Sequence, residues 1–295
     1  MEEPVLTVKN LNKSFGKRQT LFDINFECLR GHIIGLIGAN GAGKTTIMKS
    51  ILSLIDSKGL IKIDGQTVNF SNHFGLKNVG ALIEYPGIYP FLSGRDHLKL
   101  FVNTGHETDI QEIIDDLKMN DYIDKKAKRY SLGMKQKLGI AMALVNHPKL
   151  VILDEPMNGL DPQATRDLRQ LILKRKEQGV TFLISSHILV ELQKLAEDLI
   201  VIDKGKILQR TTMSDLLARN KHYLMLFTNN DLQAQRVLTM EKYEVISEQP
   251  LKVVLTENSN VEKVMRILKE NQIDVLDLRH EDADLEDSVL KLIAK

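Results

Sequence analysis

The chain has 295 residues, 43% of them hydrophobic and 27% charged, with a formal net charge of +1. That length admits one large domain carrying a smaller one, and the near-neutral charge argues against a dedicated nucleic-acid binder. The single cysteine, Cys28, excludes an internal disulfide framework and reads as a small buried apolar residue suited to a reducing cytoplasm. The amino-terminal MEEPVLTVKN has neither a basic region nor an apolar segment, so no secretory signal is expected there. No run approaches the roughly 18 apolar residues of a membrane-spanning helix, so any membrane connection is expected to come through a partner.

In chain order, LTVKNL, LFDINFEC, HIIGLIG and LIKIDGQTV read as β-rich runs, and KTTIMKSILSLI reads as a helix that follows the glycine-rich GANGAGKT. From about Asp96 to His147 the pattern turns helical, in DHLKLFVNT, IQEIIDDLK and MKQKLGIAMALV, with apolar residues at three- and four-residue steps. The continuous apolar run LVILD fits a central parallel strand covered on both faces. Helix TRDLRQLILKRKEQG, strand TFLISS, a helix from about Ile188 and the run LIVIDKGKI complete an α/β alternation. Near Arg219 and Asn220 the pattern changes to YLMLF, DLQAQRVLTM, YEVIS, KVVLT, NVEKVMRILKEN and VLDLR, a βαββαβ order that fits a small ferredoxin-like sandwich. A short closing helix is expected in LEDSVLKLIAK, and the charges of RHEDADLED read as a solvated face.

The run Gly38, Ala39, Asn40, Gly41, Ala42, Gly43, Lys44, Thr45 matches G-x-x-x-x-G-K-[ST] completely, with a strand before it and a helix starting near Lys44 after it, and Thr46 joins these residues as an expected nucleotide contact. The glycines let the backbone curl so that its N–H groups face an anion. The helix start adds positive dipole, Lys44 a mobile charge for β- and γ-phosphates, and Thr45 a hydroxyl for Mg²⁺. In LVILDEP two carboxylates end a buried strand, which is costly unless a cation or a proton transfer offsets it. Asp154 is therefore the expected Mg²⁺ partner and Glu155 the expected general base.

Four further segments, YSLGMKQK (Tyr130 to Lys137), NGLD (Asn158 to Asp161), SSH ending at His187, and KSFGK containing Phe15, follow in the order of the ABC ATPase motifs, and over about residues 15–218 the chain resembles that family. The resemblance implies an α/β phosphate-loop NTPase core over residues 1–219, with an inserted helical subdomain at about 84–147 and an accessory domain over 220–295. It implies that Phe15 stacks on adenine, that Ser131 and Gly133 of the signature hold a γ-phosphate, that Asp161 belongs to the D-loop and that His187 senses the γ-phosphate. It implies ATP and Mg²⁺ as cofactors. The partners implied are a second copy bound head to tail and a polytopic permease whose coupling helix docks beside Glu84 and the helical lobe, placing the chain at the cytoplasmic face of the membrane.

Two segments depart from the family pattern. Leu132 and Met134 replace the first glycine and the glutamine of the usual signature, and Glu84 in LIEYPGIYP replaces the Q-loop glutamine. A carboxylate there can join the Mg²⁺ and water network but adds negative charge beside phosphates. It is similar to the "E-loop" of the bacitracin-resistance and lantibiotic-immunity branch, which points to peptide export or immunity. A soluble ABC ATPase acting on nucleic acid or ribosomes, and a nucleotide-dependent sensor without transport, remain the alternative readings. For the carboxy-terminal domain a dimer-contact or regulatory role is expected.

Overall fold

The computed structural model describes residues 3–103, 107–218, 222–248, 250–255 and 261–282. The chain divides between Met213 and Ser214 into two units. The expected changeover at Arg219 and Asn220 and the expected helix LEDSVLKLIAK lie outside the described residues.

In the first unit, β1 (Pro4–Phe15) and β2 (Arg18–Leu29) form an antiparallel hairpin. Leu6, Val8 and Leu11 face Cys28, Phe26 and Ile24 across it, so one face is a continuous apolar layer. After β3 (Ile33–Ile37) and α1 (Lys44–Ile51), β4 (Lys58–Ile63) and β5 (Gln66–Val68) join this sheet in the order β2-β1-β4-β5. The run LIKIDGQTV is thus two strands, because Asp64 and Gly65 both take positive φ, the conformation of a tight two-residue hairpin turn.

A short strand β6 (Val79–Leu82) precedes α2 (Gly94–Phe101), α3 (Glu107–Asp116) and α4 (Leu132–Leu144). Then come β7 (Leu150–Asp154), α5 (Pro162–Glu177), β8 (Thr181–Ser186), α6 (Leu189–Gln193), β9 (Asp198–Asp203), β10 (Lys206–Thr212) and α7 (Met213–Ala218). The second sheet runs β10-β9-β3-β8-β7-β6, parallel except for the antiparallel edge strand β10. β3, β7 and β8 are buried along their whole length, which is why their sequences are apolar without alternation. Ile47, Met48 and Ile51 of α1 share one core with Leu36 and Ile152 of this sheet and Leu6 and Ile61 of the other, so the helix carrying Lys44 and Thr45 is fixed between the two layers.

The second unit starts within α7 and holds β11 (His222–Thr228), α8 (Asp231–Met240), β12 (Val245–Glu248), β13 (Leu251–Leu255), α9 (Val261–Glu270) and β14 (Val275–Asp282), with sheet order β12-β13-β11-β14 and antiparallel pairing throughout. Leu224, Leu226, Leu251 and Val253 of the sheet pack on Ala234, Leu238, Val264 and Leu268 of the two helices.

Candidate functional site

The glycine-rich loop leaves β3 and enters α1 through Gly43, whose φ of 112° would strain a residue with a side chain. The turn between β9 and β10 buttresses it from behind. The Gly205 N–H donates to Ala42 O at 2.8 Å, and Gly205 O accepts from the Phe22 N–H at 2.9 Å. Any side chain at Gly205 would meet the Thr20 carbonyl oxygen, at 1.9 Å from an added Cβ.

Above the loop lies a cleft of about 590 Å³. Ala39, Asn40, Gly41, Gly43, Lys44, Thr45, Thr46 and Glu155 line it, together with Arg18, Phe22, Lys204 and Lys206 from the neighbouring strands. Gly38 and Ala42 lie beneath, where Gly38 O accepts from Lys44 Nζ at 2.7 Å and Ala42 is buried.

At the end of β7 the two carboxylates diverge. Asp154 is buried, and its Oδ2 accepts from Thr45 Oγ1 at 2.7 Å while its Oδ1 accepts from Ser185 Oγ at 2.6 Å. Glu155 follows in a left-handed conformation, φ 49°, and its N–H donates to the same Ser185 hydroxyl at 2.9 Å. Its Oε2 meets His187 Nδ1 at 2.8 Å. Its enclosed Oε1 takes no well-aligned hydrogen bond but has the buried Lys44 ammonium at 3.3 Å. One carboxylate therefore sits with a hydroxyl, as an oxygen pair suited to a hard cation, and the other sits between a lysine and a histidine. Glu191, one turn beyond His187, accepts from Ser186 Oγ at 3.2 Å. Burial pushes its carboxyl above the ordinary range and the charge of Glu155 adds to that, against the opposing effects of Ser186, His187 and Arg169.

Other expected site residues lie elsewhere. Phe15 is half exposed, has the Lys13 ammonium 4.7 Å from its ring centre, and does not line the cleft. The aromatic in the cleft wall is Phe22, with Lys206 Nζ 5.5 Å from its ring centre. Ser131 caps α4 by accepting from the Met134 N–H, and Met134 Sδ accepts in turn from the Ser131 N–H at 3.4 Å, a thioether in the place where a capping box usually has a carboxylate or amide. Gly133 faces Gly159 O, 3.2 Å from where its Cβ would be, and Leu132 covers Gly159. Asp161 caps α5 by accepting from the Gln163 and Ala164 N–H groups. None of Ser131, Gly133 and Asp161 lines the cleft. Glu84, at φ 59°, pairs with Lys49 Nζ at 2.8 Å.

Ser185, Lys49, Phe22 and the Gly205 turn are not among the residues the sequence singles out for the site. Ser185 alone had a signal, since it stands in SSH and pairs in register with Asp154 across the parallel strands.

The model of the ABC transporter family matches residues 21–158. The bacitracin transport ATP-binding protein of Bacillus licheniformis is 35% identical over 300 residues, covering 98% of this chain and 97% of that protein. The chain belongs to the ABC transporter ATP-binding family. The lantibiotic transport ATP-binding protein of Streptococcus pyogenes is 41% identical over 207 residues, covering 69% of this chain and 89% of that protein. Among solved structures, an ATP-binding subunit of an ABC transporter superposes with a TM-score of 0.67 at 28% identity, covering 73% of this chain and 92% of that one. ABC transporter ATP-binding proteins bind and hydrolyse ATP, and the chain is accordingly an ATPase.

Proposed function

We propose that this ATPase drives a separate membrane permease that exports, or confers immunity to, an antimicrobial or other amphipathic peptide. The observation that carries the catalytic part is the position of Glu155, one carboxylate oxygen on His187 and the other facing Lys44 at the mouth of the phosphate loop. With ATP bound, Lys44 serves the β- and γ-phosphates, Glu155 takes the proton of the attacking water, and His187 orients Glu155 and senses the γ-phosphate. Thr45 Oγ1 and Asp154 Oδ2, 2.7 Å apart, would hold Mg²⁺, which would supply positive charge against the phosphates, and Glu84 would join its water network.

The placement of Ser131 and Gly133 outside the cleft supports a head-to-tail pair, because a second copy is what would bring the start of α4 to the γ-phosphate. For adenine we assign Phe15, which lies outside the cleft itself but pairs in register with the cleft-lining Arg18. Asp161 holds the segment that faces the partner copy. A groove of about 340 Å³ between residues 77–87 and α4, lined by Tyr85, Pro86, Phe101 and Met142, is the seat we assign to a coupling helix. Tyr85, Tyr89 and Phe91 stand exposed along the same stretch, which suits an apolar partner. Among the described residues no helix is long and apolar enough to cross a membrane. From its membership of the transporter family we place the protein at the cytoplasmic face of the membrane, through its permease.

The peptide cargo is supported by the transport names of the two bacterial relatives and by Glu84 at the Q-loop position. The second unit, with its βαββαβ order, reads as a ferredoxin-like module for dimer contact or regulation. The test is to purify the chain with its copurifying membrane protein and measure ATP turnover with and without bacitracin or a lantibiotic. Peptide-stimulated turnover that requires the membrane protein supports the reading. Full turnover with no membrane protein bound sends it to the soluble ABC ATPases.

A further inference from the structure

We propose that Lys49 is the positioning residue for Glu84, holding the carboxylate one helical turn behind the Thr45 hydroxyl and supplying the charge that makes a carboxylate tolerable at that place. This rests on the reading of Glu84 as a member of the metal and water network.

Glu84 Oε1 lies 2.8 Å from Lys49 Nζ. Lys49 stands four residues after Thr45 on α1, so the two share one helix face about 6 Å apart along the axis. Thr45 in turn touches Asp154 at 2.7 Å. The ion pair thus holds the carboxylate beside the helix face that also carries Thr45.

The backbone around Glu84 leaves little other freedom. The residue sits at φ 59°, two positions past the end of β6, and the following Pro86 packs on Gly139 of α4 so closely that an added Cβ there would lie 2.7 Å from the proline ring. Movement of the carboxylate toward or away from the nucleotide is therefore a matter of its side-chain torsions. Lys49 sets their resting state.

Charge favours the same pairing. A glutamine would add no charge near the triphosphate, whereas a lone glutamate would add a repulsive one. Paired with Lys49, Glu84 contributes no net charge at longer range. The pair is partly solvated, with side chains 30% and 56% exposed, so it adds little to stability, and its value lies in position and charge. A cation in the last turn of α1 also favours the helix dipole, but that effect is indifferent to the residue at position 84.

The experiment measures steady-state turnover against Mg-ATP concentration for the wild type, Lys49→Met, Lys49→Arg, Glu84→Gln and the Lys49→Met/Glu84→Gln double variant. Thermal midpoints are recorded alongside. Lys49→Met is expected to raise the KM for Mg-ATP about threefold to fivefold with the midpoint moved by less than about 2 °C. Lys49→Arg should restore the wild-type KM, and in the Glu84→Gln background Lys49→Met should have no further effect. The proposal is overturned if Glu84→Gln alters turnover while Lys49→Met leaves the KM unchanged. It is equally overturned if the Lys49→Met effect persists at full size in the Glu84→Gln background. Unchanged kinetics in Glu84→Gln itself would remove the underlying reading of Glu84 and the proposal with it. Should Lys49→Met unfold, Lys49→Gln gives the same cycle.

Discussion

His187 Nδ1 lies 2.8 Å from Glu155 Oε2, and this contact ties the loop after β8 to the residue after β7. Since Thr45 and Asp154 hold each other independently of it, His187→Ala should leave ATP affinity near wild type and lower kcat by about 10²-fold. Equilibrium binding of a fluorescent ATP analogue beside steady-state turnover separates the two quantities.

Ser185 is the hinge of the carboxylate pair. Its hydroxyl donates to Asp154 Oδ1 and accepts from the Glu155 N–H, and it is fully buried. Ser185→Ala orphans both groups, so denaturant unfolding should show a loss of about 1–3 kcal/mol. A Mg²⁺ titration of turnover should show a raised requirement, because Asp154 loses one of the two contacts that fix it.

Gly205 is expected to tolerate no side chain. Its φ is 76°, and an added Cβ would lie 1.9 Å from Thr20 O. Gly205→Ala must displace the β9–β10 turn from Ala42, at a cost of about 3 kcal/mol, and weaken nucleotide binding through the loop that the turn supports. Urea unfolding and calorimetric ATP binding read the two effects.

Glu191 gives a pH-dependent prediction. Its folded-state pKa is raised chiefly by burial, so its contribution to stability is present below the unfolded value and is lost as pH rises through the folded one. Near pH 7 the ionised form is therefore a burden, lightened because the side chain is only partly enclosed. Glu191→Gln should raise the thermal midpoint by about 1–3 °C at pH 7 and leave it unchanged near pH 4. Thermal unfolding at the two pH values checks both the size and the sign.

The parts of the molecule that were legible in the sequence are those set by local chemistry. IIGLI and LVILD became β3 and β7 because a strand buried on both faces must be apolar throughout. Lys44, Thr45, Asp154 and Glu155 stand out in the sequence through two motifs and His187 through the family resemblance, and the fold brings the five side chains within contact of one another. β6 was missed because VGAL is only four residues long and contains a glycine, and only its pairing with β7 makes it a strand. LIVIDKGKI was read as one run, although Lys204 and Gly205 at positive φ turn it into the β9–β10 hairpin. Phe22, Lys49 and Gly205 owe their positions to neighbours distant in sequence, a relation that periodicity does not encode.

The most direct test of the account is a comparison of wild type and Glu155→Gln in Mg-ATP, with turnover and solution mass measured on the same samples. The account predicts that Glu155→Gln binds Mg-ATP, loses at least about 10²-fold in turnover, and doubles its mass as two copies close on unhydrolysed nucleotide. Turnover within a few-fold of wild type, or a monomer at saturating Mg-ATP, would contradict it.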